Sequence, residues 1–368
     1  MNVPLVDLKL QYKNLQAEID NAISSVIAET AFIGGKYMLQ FEKDFATAYG
    51  VKHCISCGNG TDSLYIIMRM LGIGAGDEVI TVANSWISSA ETISQTGADV
   101  VFVDINPDYY SIDEKLIEAK ITPATKALLI VHLQGQVCEL DAIQAICKKY
   151  NLYLIEDCAQ AHFSEYKGQL TGTIGIAGSF SFYPGKNLGA YGDAGCIITN
   201  DDALAEKCRM FGRHGALIKH QHKMPGINSR LDGLQAAIIS AKLPFIHEWN
   251  DARIKHAAYY TEQLKNIPQV VTPVVRPDTK HTFHVYQIRA ERRNELGAYL
   301  KGNGIETALH YPVPLPFMEA YSNLGLTAAA FPVVADYQQQ ILSLPMYPEL
   351  TEVQIDYIVG MIQQFYNR

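Results

Sequence analysis

The sequence predicts an α/β protein: a mainly parallel sheet flanked by helices, with a smaller α+β domain at the C-terminal end. Three observations carry this. Short, continuously apolar runs recur through the first two-thirds of the chain, helical patterns separate them, and the alternation stops near residue 245. Strands that are apolar on both faces and joined by helices belong to a sheet covered on both sides.

The predicted strands, in order, are HCISC (53–57), EVITV (78–82), DVVFVDI (99–105), KALLIVH (126–132), LYLIED (152–157), GSFSFY (178–183) and GCIIT (195–199). Helical patterns fall between them at 61–72, 85–97, 111–120 and 139–150. Local signals agree. Ser111 and Glu114 form a capping-box pattern before SIDEKLIEAK. Asn200, Asp201 and Asp202 open a helix that stops at Gly212, and Gly72 ends the helix begun near Thr61. Beyond that point come a long helix (245–266), the strand TFHVYQIRA, the helix RNELGAYLKGNG and a final helix after LTEVQ. The expected domains are therefore 1–245, a large domain with an N-terminal segment, and 246–368.

Composition removes several function classes. No apolar run reaches the ~18 residues of a membrane span, and the N-terminus has no apolar leader pattern, so the chain reads as cytoplasmic. A net charge of −8 with no basic block argues against nucleic acid. Seven scattered cysteines fit a reducing compartment. Cys54 and Cys57 form a C-x-x-C, but a buried strand ending in a turn explains them without metal or redox work. The stretch KHQH (Lys219 to His222) reads as a polar loop.

Chemistry concentrates where strands end, because ligands of open α/β sheets sit beyond the C-terminal strand ends. LYLIED ends in Asp157, a carboxylate that burial obliges to be paired; a cap or structural ion pair would also do this. HCISC runs into Gly58, Asn59, Gly60 and Thr61 at a helix start, a phosphate cradle that is neither a P-loop nor a dinucleotide fingerprint. Trp86 follows EVITV, either as core or as a flat face for a ring. Lys186 sits in SFSFYPGKNLGAYGDAG, between two strands, among glycines that imply a body close to the backbone. A lysine amine suits an aldehyde, an aspartate suits a protonated ring nitrogen, a glycine-rich helix start suits a phosphate, and an aromatic suits a ring face. Pyridoxal 5′-phosphate has all four features.

The chain resembles the nucleotide-sugar aminotransferases, a branch of the aspartate-aminotransferase-like (fold type I) pyridoxal phosphate enzymes. The resemblance spans nearly the whole chain. It rests on PLVDLKLQY, AFIGGKYMLQFEKDFA, CGNGTDSL, VHLQGQVCELD, IEDCAQAH, SFSFYPGKNLGAYGDAG, GINSRLDGLQAAI and HYPVPL, in that order.

The resemblance implies that Lys186 holds the cofactor as a Schiff base and that Asp157 pairs with its ring nitrogen. Gln160 would lie against the ring and its phenolic oxygen. Gly60, Thr61 and Ser181 would bind the phosphate, and Trp86 would stack on the ring. Asn228 would reach the phosphate of a neighbouring subunit, which implies a homodimer with shared sites. Phe32, Ile33, Gly34, Lys219, His310 and Tyr311 would line a sugar-nucleotide cleft. Where the family often has GDGG this chain has Gly192, Asp193, Ala194 and Gly195; the extra methyl is expected to be tolerated. The stretch around Lys186 resembles the subgroup that aminates carbon 3 of dTDP-linked 3-keto-6-deoxyhexoses. The implied substrates are L-glutamate and such a keto sugar, exchanged with ping-pong kinetics. Amination at carbon 4 or a UDP-linked sugar is the nearer alternative, and a non-catalytic binding or regulatory protein the remoter one.

Overall fold

The computed structural model describes residues 1–368. Three helices precede the first strand: α1 (Leu8–Asn14), α2 (Gln16–Ala28) and α3 (Gly35–Tyr49). The alternation of strands and helices follows, with β1 (His53–Cys57), α4 (Gly60–Met70), β2 (Glu78–Val82), α5 (Ser88–Thr96), β3 (Asp99–Val103) and α6 (Glu114–Ile117). Next come β4 (Thr125–Val131), α7 (Leu140–Tyr150), β5 (Tyr153–Asp157), the short β6 (Glu165–Tyr166) and β7 (Gln169–Leu170), then β8 (Ala177–Ser181), β9 (Gly195–Thr199), α8 (Asp202–Phe211) and α9 (Gly233–Lys242).

All seven predicted strands enter one sheet, in the order β1-β9-β8-β5-β4-β2-β3. The strands β8, β5, β4, β2 and β3 run parallel, and β9 is antiparallel to both its neighbours. The fold is thus α/β with a mostly parallel sheet, as the apolar runs require. Asp201 caps α8 by accepting the Leu204 amide, and Gly212 ends it. The capping box expected at Ser111 is not formed. The helix there is only four residues long, and Asp113 caps it, accepting the Lys115 amide. Asp113 lies two residues closer to the helix, so its carboxylate takes the place given to the serine hydroxyl.

The remaining elements are α10 (Ile246–Leu264), β10 (Val270–Val271), β11 (Thr279–Lys280), β12 (Tyr286–Ala290), α11 (Arg293–Gly302), α12 (Pro332–Tyr337), β13 (Ile341–Leu344) and α13 (Glu352–Tyr366). Strands β10, β12 and β13 form a small sheet. Its apolar side and the helices α10, α11 and α13 make one core, into which Val3 also reaches. Leu315, Tyr321, Phe331 and Val334 instead join the core of the large sheet. This return of the chain carries His310 and Tyr311 across the large sheet's C-terminal strand ends.

Candidate active site

The strands β2, β4, β5 and β8 are parallel, so their last residues face one side. Residues at or just past those ends, Ser85, Trp86, Leu133, Asp157 and Ser181, line a cavity of about 750 Å³ together with Lys186. The structure therefore gathers into one space residues as far apart in sequence as Leu5 and Met346.

Asp157 is 5% exposed. Its Oδ1 accepts the Ala159 amide at 3.1 Å, and its Oδ2 accepts the Ser89 hydroxyl at 3.2 Å. Burial pushes its carboxyl above the usual carboxylate range, opposed by those donors and by the Lys186 charge. Lys186 sits in the turn after β8, its amide donating to the Tyr183 carbonyl at 2.8 Å. Burial lowers its amine to about 8, with the Asp157 charge working the other way. Neither charge fully offsets the desolvation of the other, which leaves a neutral amine accessible near physiological pH.

At the start of α4, Asn59 caps the helix by accepting the Asp62 amide. The Gly60 and Thr61 amides occupy the first two helical positions and have no partner within the helix. They open on the cavity beside Ser181. A Cβ on Gly60 would lie 2.7 Å from that of Ser181, so only glycine lets β8 approach the cradle. Gln160 is oriented by the Gln134 amide, which donates to its Oε1 at 2.6 Å; its Nε2 donates to the Tyr311 hydroxyl at 2.9 Å. Trp86 is not core: it is 59% exposed, two residues before α5, with its ring centroid 5.7 Å from that of Tyr311.

The glycines around Lys186 have another explanation than the expected ligand. A Cβ on Gly189 would lie 2.3 Å from the Pro184 carbonyl oxygen, and one on Gly195 2.4 Å from the Asn59 carbonyl carbon. The close bodies are this chain's own backbone, folding the turn and seating β9 on the cradle. Only Gly185 among them lines the cavity.

The structure brings together Lys186, Asp157, Gly60, Thr61, Trp86, Gln160, Ser181, His310 and Tyr311. Phe32, Ile33, Gly34, Lys219 and Asn228 lie outside this cavity. Phe32 and Ile33 are exposed on the segment before α3, which Gly233 holds by donating its amide to the Phe32 carbonyl at 2.7 Å. Asn228 and Lys219 are exposed as well. One chain alone does not bring these five to Lys186. Conversely, Ser85, Ser89, Asp193 and His284 belong to the site or its support and were not singled out from the sequence. The serines could have been found in NSWISSAE as a hydroxyl pair, Ser85 against Ser89 and Ser89 donating to Asp157; a lone histidine in TFHVYQIRA carries no such signal.

Pyridoxal phosphate fits these residues. An amine that gives up its proton near pH 8, a two-donor carboxylate with unused acceptor capacity and a pair of free amides at a helix start surround one cavity of sufficient size. No helix is long and apolar enough to cross a membrane.

Residues 13–363 match the DegT/DnrJ/EryC1/StrS aminotransferase family. The chain is 46% identical, over all of its length and 99% of the relative's, to a Geobacillus stearothermophilus protein named pleiotropic regulatory protein. It is 41% identical to the dTDP-3-amino-3,6-dideoxy-alpha-D-galactopyranose transaminase of Aneurinibacillus thermoaerophilus, over 99% of both chains. It is also 41% identical to the UDP-2-acetamido-2-deoxy-3-oxo-D-glucuronate aminotransferase of Pseudomonas aeruginosa, over 98% of this chain and 99% of that one. Among solved structures, S. venezuelae DesV in complex with a ketimine intermediate superposes with a TM-score of 0.97 at 38% identity, covering 100% of this chain and 99% of that one.

Proposed function

The chain belongs to the DegT/DnrJ/EryC1/StrS aminotransferase family, and from that membership we propose how its residues act and on which sugar. It is a pyridoxal phosphate-dependent aminotransferase of nucleotide sugars. We infer that it moves an amino group from L-glutamate to carbon 3 of a dTDP-linked 3-keto-6-deoxyhexose. The products are the dTDP-3-amino-3,6-dideoxyhexose and 2-oxoglutarate.

The observation that carries the residue assignment is the placing of Lys186 and Asp157 on one cavity, each electrostatically felt by the other. When bound, the cofactor supplies an aldehyde to trap the amine and a ring that withdraws electrons from the reacting carbon. The residues do the rest. Lys186, its amine lowered to about 8, would hold the aldehyde and move a proton to and from the substrate carbon. Asp157 holds a proton on the ring nitrogen through a charge-assisted hydrogen bond. The Gly60 and Thr61 amides and the Ser181 hydroxyl take the phosphate, where the α4 dipole favours negative charge. Trp86 and Tyr311 flank the cavity mouth. Because Phe32, Ile33, Lys219 and Asn228 are exposed in one chain, we assign them to a site completed by a second copy in a homodimer.

The carbon-3 reading is supported by the stretch around Lys186 and by the names of the Aneurinibacillus and Pseudomonas relatives. The nucleotide is less constrained, since those two names differ in it. The test is a panel of dTDP- and UDP-linked 3-keto and 4-keto sugars with the aminated carbon located by NMR. Amination of the dTDP 3-keto sugar is expected; a preference for a UDP sugar or for carbon 4 overturns the assignment. The purified protein is expected to be yellow and to bleach with glutamate. A protein that stays colourless with added cofactor would instead be the regulator that the Geobacillus relative's name describes.

A further inference from the structure

Asn187 follows Lys186 directly and is buried. Its hydrogen bonds are directional in a way that fixes a neighbour's chemistry. Asn250 donates Nδ2 to the His162 carbonyl at 2.9 Å, so its Oδ1 faces Asn187. Asn187 donates Nδ2 to that Oδ1 at 2.8 Å and to the Thr282 carbonyl at 3.1 Å. Carbonyls only accept, so the Asn187 amide cannot be turned over. Its Oδ1 is therefore the atom facing His284 Nδ1, 3.2 Å away. An amide oxygen cannot donate, so Nδ1 of His284 carries the proton. A neutral imidazole protonated there has a bare lone pair on Nε2.

His284 lines the cavity with Lys186. Burial holds the ring neutral, and the electrostatic influence of Lys186, Arg253, His310 and His162 pushes its pKa further down, well below its ordinary value. A cation nearby that disfavours protonating Nε2 favours Nε2 as an acceptor.

We propose that Asn187 fixes His284 in the Nδ1–H tautomer, so that Nε2 accepts a hydrogen bond from the Lys186 amine and steers it during proton transfer. This rests on reading Lys186 as the proton carrier. The neutral amine gives one N–H to Nε2, which aims its lone pair at the substrate. The amine then takes the proton from the substrate carbon, and the electron pair stays on the substrate side. The resulting ammonium keeps its bond to Nε2 in charge-assisted form. No proton moves to His284, which acts as a positioning residue.

The first test reads the tautomer in the full chain labelled with ¹⁵N-histidine, by long-range ¹H–¹⁵N correlation, using His284→Phe to assign the signal. A proton on Nδ1 and none on Nε2 is expected; Nε2–H, or a doubly protonated ring at neutral pH, overturns the proposal. The second test follows the glutamate half-reaction of the holoenzyme by absorbance. His284→Phe is expected to slow its rate constant by about 10- to 100-fold while the apparent affinity for glutamate holds. A retained rate, or a loss confined to affinity as a sugar- or glutamate-binding histidine would give, overturns it. In Asn187→Asp a carboxylate would accept from Nδ1 and favour a charged ring whose Nε2 donates. The expected result is a loss of activity on the acid side that wild type lacks and that disappears when His284→Phe is added; an unchanged pH profile counts against the proposal. If a variant fails to fold, the wild-type tautomer still decides. If wild type never bleaches with glutamate, the aminotransferase reading fails while the tautomer remains measurable.

Discussion

Two carboxylates adjacent in sequence, at the end of β5, do opposite things. Successive strand residues face opposite sides, so Glu156 points away from the cavity and Asp157 into it. Glu156 is fully buried and saturated: it accepts the amides of Gly172, Ile174 and Gly175 at 2.8, 2.8 and 2.6 Å and lies 3.0 Å from His132 Nε2. Since His132 Nδ1 accepts the Cys138 amide, its Nε2 is the donor to Glu156. These donors hold the Glu156 carboxyl below its ordinary range against burial. Asp157 is as deeply placed but has two donors, and burial raises it. A carboxylate with every lone pair used serves the fold. One left with spare acceptor capacity, facing a cavity, is available to a ligand.

The largest expected effect separates the two. Glu156→Gln puts an amide against amides that can only donate, and should cost about 3–5 kcal/mol of unfolding free energy, read from the denaturant midpoint. Asp157→Asn should leave that midpoint nearly unchanged, because Oδ1 still accepts the Ala159 amide and the new Nδ2 can donate to the Ser89 hydroxyl, which can also accept. It should instead lower turnover by about 10- to 100-fold. If both variants lost stability alike, the division of labour between the two faces would be wrong.

Lys186 extends the contrast to pH. In the cofactor-free protein its amine is lowered from 10.5 to about 8 by burial. Between those values the unfolded chain binds a proton that the folded one lacks, so stability rises with pH across that window. Below about 8 the buried ammonium destabilises the fold by roughly 3 kcal/mol. Lys186→Met should therefore abolish transamination yet raise cofactor-free stability at neutral pH, by an amount that shrinks as pH climbs from about 8 towards 10.5. A gap independent of pH would show that Lys186 is not the group responsible.

Much of this was legible in the sequence because burial on both faces leaves a continuous apolar trace. All seven strands of the large sheet are such runs, and the residues closing them include Asp157. The helices α1 to α3 left no such mark, since they precede the alternation and lie at its edge. Lys186 was legible because its setting is chemically unusual, but the body its glycines admit was not: sequence shows that a close approach is needed, not which body makes it. Trp86 could not be told from core, because only the path of the chain through His310 and Tyr311 leaves its ring at a cavity mouth. The role of His284 depends on the direction of three hydrogen bonds, and residue order does not encode direction.

The smallest effect tests how the loop after Lys186 is built. Ala194 and Gly195 are neighbours, both buried, yet only one needs to be glycine. Ala194 is 1% exposed, has no positive φ, and packs its methyl in the core formed by α3, α9 and β9. Gly195 has no room for a methyl, because a Cβ there would also fall 2.5 Å from the Asn59 carbonyl oxygen and 2.8 Å from the Gly60 nitrogen. Ala194→Gly removes one buried methyl and frees the unfolded backbone, so it should destabilise the protein by about 1 kcal/mol with little change in cofactor affinity. Were Ala194→Gly to tighten cofactor binding instead, the methyl would be propping β9 off the phosphate cradle, and the backbone contact at Gly195 would not be what sets that distance.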